Sequence, residues 1–206
     1  MLLYRPVGLE ELLLIFDAKA RAYPPRLPDQ PIFYPVLTRD YAAQIAREWN
    51  TKSGTLAGYV TRFSIDDGYA RTFEPQTVGS SAHRELWVPA EELDAFNARL
   101  EGPIEVIDAF FGAGFAGVIP SEGALAGCDA TAQLAKLSAL ASEDHRAFER
   151  AIVANARTVY AHYGFWQSTD GRGLAEATRD ELLANVASVW RAHTEHARVP
   201  LAARER

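Results

Sequence analysis

The chain has 206 residues, a net charge of −6, 48% apolar and 23% charged residues. That length suits one domain with an appendage or two small ones, and buries a sizeable core. The acidic balance argues against a protein whose main task is holding a phosphate backbone, which needs clustered Lys and Arg. Arg5, Arg26, Arg62, Arg71 and Arg84 remain as candidates for a local basic patch. The single cysteine, Cys128, excludes an internal disulfide and a Cys-based metal cage, and a reducing cytoplasm is the expected location. The N-terminus has no basic region ahead of a long apolar stretch, so no secretory signal is expected. No run approaches the ~18–20 apolar residues of a membrane span, so no membrane association is expected.

Leu2 to Tyr4 reads as a short strand stopped by Pro6. Leu9, Leu12, Leu13 and Phe16 recur at helical spacing. Residues 23–31 hold four prolines and predict a stiff loop, because fixed φ and missing donors forbid helix or central strand. Pro31 to Leu37 is extended, and Thr38 is placed to cap a helix whose Ala42, Ile45, Ala46 and Trp49 share one face. Gly58 to Ile65 alternates at period two and predicts a strand. A polar excursion over 66–82 follows, then a strand over 85–88 and a helix over about 90–100 with Leu93, Phe96 and Leu100 inward. Pro103 to Phe111 predicts a last strand.

The composition shifts at 112–128, where Gly112, Gly114, Gly117, Gly123 and Gly127 mark a boundary. A mixed α+β unit over 1–118 and an all-helical unit over 119–206 are expected. One helix is marked by Leu134, Leu137 and Leu140, a longer one by Phe148 through Tyr163, and a third by the capping box Thr178 to Glu181.

Several motifs carry little chemistry. The glycines of 112–128 lack a Gly-Lys-Ser/Thr and do not make a phosphate loop. Cys128 has no nearby His in a nucleophile arrangement. His193 and His196 stand i,i+3, but without an acid or Cys at partner spacing a helix-terminal cation is the plainer reading than a metal pair. The aromatic run Tyr160 to Trp166 fits a helical core or a ligand or partner surface equally well. His83 beside Arg84 reads as exposed.

Glu85 is the most informative residue. It heads the apolar strand Leu86-Trp87-Val88, after Leu2-Leu3-Tyr4-Arg5 on a first strand and Ile32-Phe33-Tyr34 ahead of a helix. Taken singly, Glu85 is a strand acid, Arg5 an ion-pair residue and Tyr34 a half-buried aromatic. In this order, the three segments resemble the ADP-ribosyltransferase fold, and the opening segments with the Tyr-Pro, Glu-Leu-Trp-Val-Pro and Pro-Ile-Glu-Val runs also resemble small bacterial proteins labelled "ADP-ribosylation". The resemblance covers roughly residues 2–111 and none of the second half.

What the resemblance implies is a split, two-sheet α+β core holding NAD in a cleft, followed here by the helical unit. Glu85 would then stabilise the oxocarbenium-like sugar as the nicotinamide bond breaks. Arg5 would hold a phosphate or ribose oxygen, Tyr34 or Phe33 would stack on the nicotinamide, and Thr61 or Ser64 would stand near the middle-strand serine. Arginine-modifying members carry an acid or Gln two residues before the catalytic glutamate, where this chain has His83, which speaks against arginine as acceptor. The acceptor, whether protein, nucleic acid, small molecule or water, stays open. The helical half would serve as a lid, a partner surface or an oligomerisation element. The competing reading is a non-catalytic module on the same scaffold that binds a protein or small ligand.

Overall fold

The computed structural model describes residues 1–168, 174 and 176–194. It is an α+β protein of two compact units, Met1–Gly112 and Ala113–Arg206. In the first unit the order is β1 (Leu2–Gly8), α1 (Leu9–Asp17), β2 (Ile32–Phe33), α2 (Arg39–Glu48), β3 (Ala57–Ile65) and α3 (Asp67–Ala70). There follow β4 (Gln76–Thr77), β5 (Arg84–Glu85), β6 (Val88–Pro89), α4 (Leu93–Asn97) and β7 (Leu100–Phe111).

Every pairing among these strands is antiparallel, and β3 is central, with β1 on one side and β7 on the other. Outside β1 the extended residue Val36 bridges to Tyr4 and, on its far side, to Glu85, which pairs with Gln76. One rung therefore crosses the strands through Gln76, Glu85, Val36, Tyr4, Arg62 and Glu105. Residues directly opposite one another project to the same face, and neighbours along a strand to opposite faces. That parity decides which side chains can meet.

The two faces bury different helices. On one, Leu3, Val7, Tyr59 and Phe63 are buried, and Tyr23, Phe33, Phe63 and Phe96 pack with ring centroids 4.8–5.9 Å apart. Burying a ring of this kind stabilises by about 1.5–3 kcal/mol. On the other, Tyr41, Ala42 and Ala46 of α2 cover Val36 and Val60. This double cover explains why Ala57 to Thr61 are all buried, where period-two alternation predicts a half-exposed strand.

Pro6 does not stop β1, which continues to Gly8. Tyr4 exchanges its backbone bonds with Val36, on the side away from β3. Alternation turns the donor-less nitrogen of Pro6 to that same side, so the β1–β3 ladder loses no bond.

Thr38 caps α2 as expected, accepting from Tyr41 N at 3.4 Å. Thr38→Ala should lower the melting midpoint through a loss of about 1 kcal/mol, read by thermal denaturation. Trp49 departs from the expected helix face. It lies at the end of α2, 65% exposed, rather than against the sheet. The predicted helix over 90–100 is only α4 after a single 3-10 turn, and Leu100 already belongs to β7. The predicted strand over 85–88 is two short pieces, β5 and β6.

In the second unit the described helices are α5 (Ala130–Glu143), α6 (His145–Ala154), α7 (Ala156–Ser168) and α8 (Glu176–His193). Asp129 and Asp144 cap α5 and α6, accepting from Ala132 N at 2.8 Å and Ala147 N at 3.0 Å. The single long helix expected after Phe148 breaks at Asn155, whose side chain bonds Ala151 O at 2.8 Å and closes α6. Glu176 is already helical, so Thr178 lies inside the first turn of α8 and does not cap it. Thr158 to Trp166 are buried without interruption, which makes the aromatic run core. Residues 113–118 belong to this unit and not to the first, because Val118 is bonded to His162 of α7. No helix among the described residues is long and apolar enough to cross a membrane.

Candidate functional site

Glu85 lies on the α2 side of the sheet, 9% exposed. Its Oε1 accepts from Trp87 Nε1 at 2.8 Å, and the Tyr41 phenol stands close to the same carboxylate. Burial first, and then the neighbouring Glu85 charge, pushes the Tyr41 phenol above its usual range, so Tyr41 remains a neutral donor at pH 7. An ionised carboxylate offers about four acceptor positions, so a ligand hydroxyl can still be accommodated.

The strands place aromatic side chains around this acid. Phe33–Val88 and Val36–Glu85 keep a common register, which sets Tyr34 opposite Trp87 on the face of Glu85. The two rings meet edge to face at 6.1 Å and 88°. Trp87 is 50% exposed and presents its indole to solvent. Beside them His83 stacks on Tyr41 at 4.3 Å and 8°, with its Nε2 3.0 Å from Gln44 Oε1.

Arg5 does not join this group. Strand parity sends it to the opposite face, where it is opposite Thr61 and only 7% exposed. Its guanidinium donates to both carboxylate oxygens of Glu11 at 2.7 and 3.1 Å and to Tyr34 O at 3.2 Å, and lies 4.5 Å above the Phe33 ring. A buried pair of this kind fixes the arrangement of its neighbours more than it adds stability. Arg5 therefore positions α1 and the backbone of Tyr34, buried on the face away from Glu85.

The remaining expected residues divide the same way. Phe33 is fully buried in the aromatic core beneath Arg5. Thr61 is buried there too, bonding Arg5 O and Tyr23 Oη, each at 2.8 Å. Ser64 is half-buried on the Glu85 face, paired with Leu2 near the end of β3. The suggested basic patch does not assemble: Arg5 and Arg62 face opposite sides, and Arg71 pairs with Asp67 at 3.4 Å. The sequence offers no sign that Tyr41 and Gln44 belong to the site, Trp87 was not expected there, and His83, expected to be exposed, is half-buried because it stacks on Tyr41. The i,i+2 spacing of Glu85 and Trp87 on an extended segment was the signal that could have found the tryptophan.

A second buried polar centre lies in the helical unit. His162, with no exposed surface, accepts from Val118 N at Nε2 (2.8 Å) and stands 2.9 Å from Gln133 Oε1 at Nδ1. The amide donor at Nε2 assigns the proton to Nδ1. Gln133 in turn donates to Val118 O and Cys128 O at 2.8 and 2.7 Å. Desolvation pushes the His162 pKa down to about 3, so the ring is neutral. Every polar atom of the centre is used in holding the glycine-rich run on the bundle, a structural role. Among the described residues no His, Cys, Asp or Glu cluster could hold a metal ion, and His196 lies outside them.

Comparison with known proteins gives no matching family model, no matching curated protein and no matching solved structure.

Proposed function

We propose that the Glu85 face binds the nicotinamide–ribose part of NAD and cleaves the bond between them, passing ADP-ribose to an acceptor or, with water, hydrolysing NAD. The observation that carries this reading is that Tyr34 and Glu85, far apart in the chain, share one face with Trp87 between them. Departure of nicotinamide leaves positive charge on the ribose, and a carboxylate held by the Trp87 indole stabilises that charge where it develops. The half-exposed indole of Trp87, braced by Tyr34, offers a rigid surface for the nicotinamide ring. Arg5 contributes indirectly, by holding the strand that carries Tyr34.

A second reading is favoured by the completeness of the local bonding. Arg5 is turned away, and Glu85 is already engaged by Trp87 and Tyr41, as in a face that recognises a ligand without transforming it. One experiment separates the two. Purified protein is incubated with NAD, released nicotinamide is followed by chromatography, and binding is followed by calorimetry. Turnover that falls about 10²-fold or more in Glu85→Gln supports catalysis. Binding without release assigns the recognition role, and turnover undiminished in Glu85→Gln removes Glu85 from the chemistry.

A further inference from the structure

We infer that Arg26 holds the pyrophosphate of the ligand at the Glu85 site, in the role that the sequence assigns to Arg5; the inference rests on the NAD reading above. The edge of β2 sets the geometry. Pro31 O and Pro35 O accept from Ala90 N and Leu86 N, on the side of β5 and β6. Carbonyls alternate along an extended chain, so Ile32 O and Tyr34 O point to the other edge, toward β1, where Val36 O accepts from Tyr4 N. Both are taken by guanidinium groups, Ile32 O by Arg26 Nε at 3.0 Å and Tyr34 O by Arg5 Nη1 at 3.2 Å. Two residues of extended chain span roughly 7 Å, so the two cations lie side by side along one edge. Glu11 serves Arg5 with both oxygens, and among the described residues no carboxylate pairs with Arg26.

The state of Arg26 suits an anion. Its Nη2 donates to Gln30 Oε1 at 3.0 Å, so two amide oxygens orient a half-buried guanidinium without neutralising it. Two of its five N–H groups are used, and the rest lie on Nη1 and the outer side of Nη2. Among the described residues no buried side-chain polar atom lacks a partner, so Nη1 reaches solvent. A planar fork with that edge open matches two phosphate oxygens. Burial first, and then the charge of Arg5, lowers the Arg26 pKa, while Glu11 and the Tyr34 phenol are close enough to act in the opposite sense. The group still carries its charge at pH 7, and an anion beside it favours that form. Along the paired segments, Tyr34 and Trp87 stand between the rung of Glu85 and Ile32. The helix α2 lies on β1, β3 and β7, whereas Tyr34 is half-buried and Trp87 exposed. A dinucleotide folded over this pair, with its ring on Trp87 and its ribose at Glu85, brings its phosphates to the guanidinium.

The test uses calorimetry on the full chain with three probes: NAD, ADP-ribose, and nicotinamide riboside, which has no phosphate. Arg26→Met should weaken NAD and ADP-ribose about 10- to 100-fold, the size of one charge-assisted contact, and leave nicotinamide riboside no weaker. Arg26→Lys, which keeps the charge but loses the fork, should recover only part of that affinity. Added salt should weaken ADP-ribose in wild type more than in Arg26→Met, a difference that loss of a merely structural contact would not give. Circular dichroism checks folding, and if Arg26→Met is unfolded, Arg26→Lys decides by the same comparison of NAD with the riboside. If the folded variant binds NAD within twofold of wild type, or weakens the riboside equally, the inference falls while nicotinamide release by wild type leaves the NAD reading standing. If wild type binds none of the three probes, both fall.

Discussion

His162→Ala should destabilise the helical unit by about 2–5 kcal/mol, measured by urea unfolding followed through the helical circular dichroism signal. The substitution leaves two groups without partners, Val118 N–H and Gln133 Oε1. Each buried orphan costs about 1–3 kcal/mol, before any cavity is counted. The wild-type ring also makes the unit sensitive to acid. Its pKa is about 3 when folded against an ordinary value of 6.5, so between those values the unfolded chain holds the extra proton. Stability from this residue is complete above pH 6.5 and declines as pH falls toward 3, by up to about 1.4 kcal/mol per pH unit. Urea midpoints compared at pH 7 and pH 5 should show that decline in wild type and a smaller one in His162→Ala. An equal decline in both would show that other groups carry the acid sensitivity.

Gly58→Ala should cost the N-terminal unit about 3 kcal/mol, because α2 crosses β3 at that glycine with no room for a methyl group. A Cβ there would overlap the backbone oxygen of Ala46 and stand 2.7 Å from its carbonyl carbon. The obstacle is backbone in a packed helix, so relief requires α2 to move as a body. Tyr41 sits on the same helix, and its stack on His83 beside Glu85 would be disturbed with it. Gly8→Ala is the matched control, since a Cβ at Gly8 meets nothing within 4 Å and its φ of −82° suits any residue. Thermal melts should separate the two variants widely. Coincident melts would mean that the helix yields freely, contrary to the packing described here.

Much of the fold was legible because local rules suffice where one face is buried and the other solvated. Thr38, the proline loop and the leucine spacing of α1 each have a short-range cause. The failures have long-range causes. Nothing local tells that Val36 will bridge Tyr4 on one side and Glu85 on the other, or that pairing with β3 will carry β1 past Pro6. The candidate site was half legible for the same reason. Glu85 and Tyr34 sit in suggestive segments, but the face each occupies follows from strand register, and register placed Arg5 opposite to both. The contact of Tyr41 with His83 was not legible, because the two arrive from a helix and a loop whose meeting is set by tertiary packing.

The docking of residues 113–118 on the bundle has a practical consequence for separating the halves. Severing the chain after Val118, where composition alone suggests, would strip the lid from the buried imidazole and expose an apolar floor. Severing it after Gly112 keeps that lid, and the Val118–His162 bond it carries, with the helices.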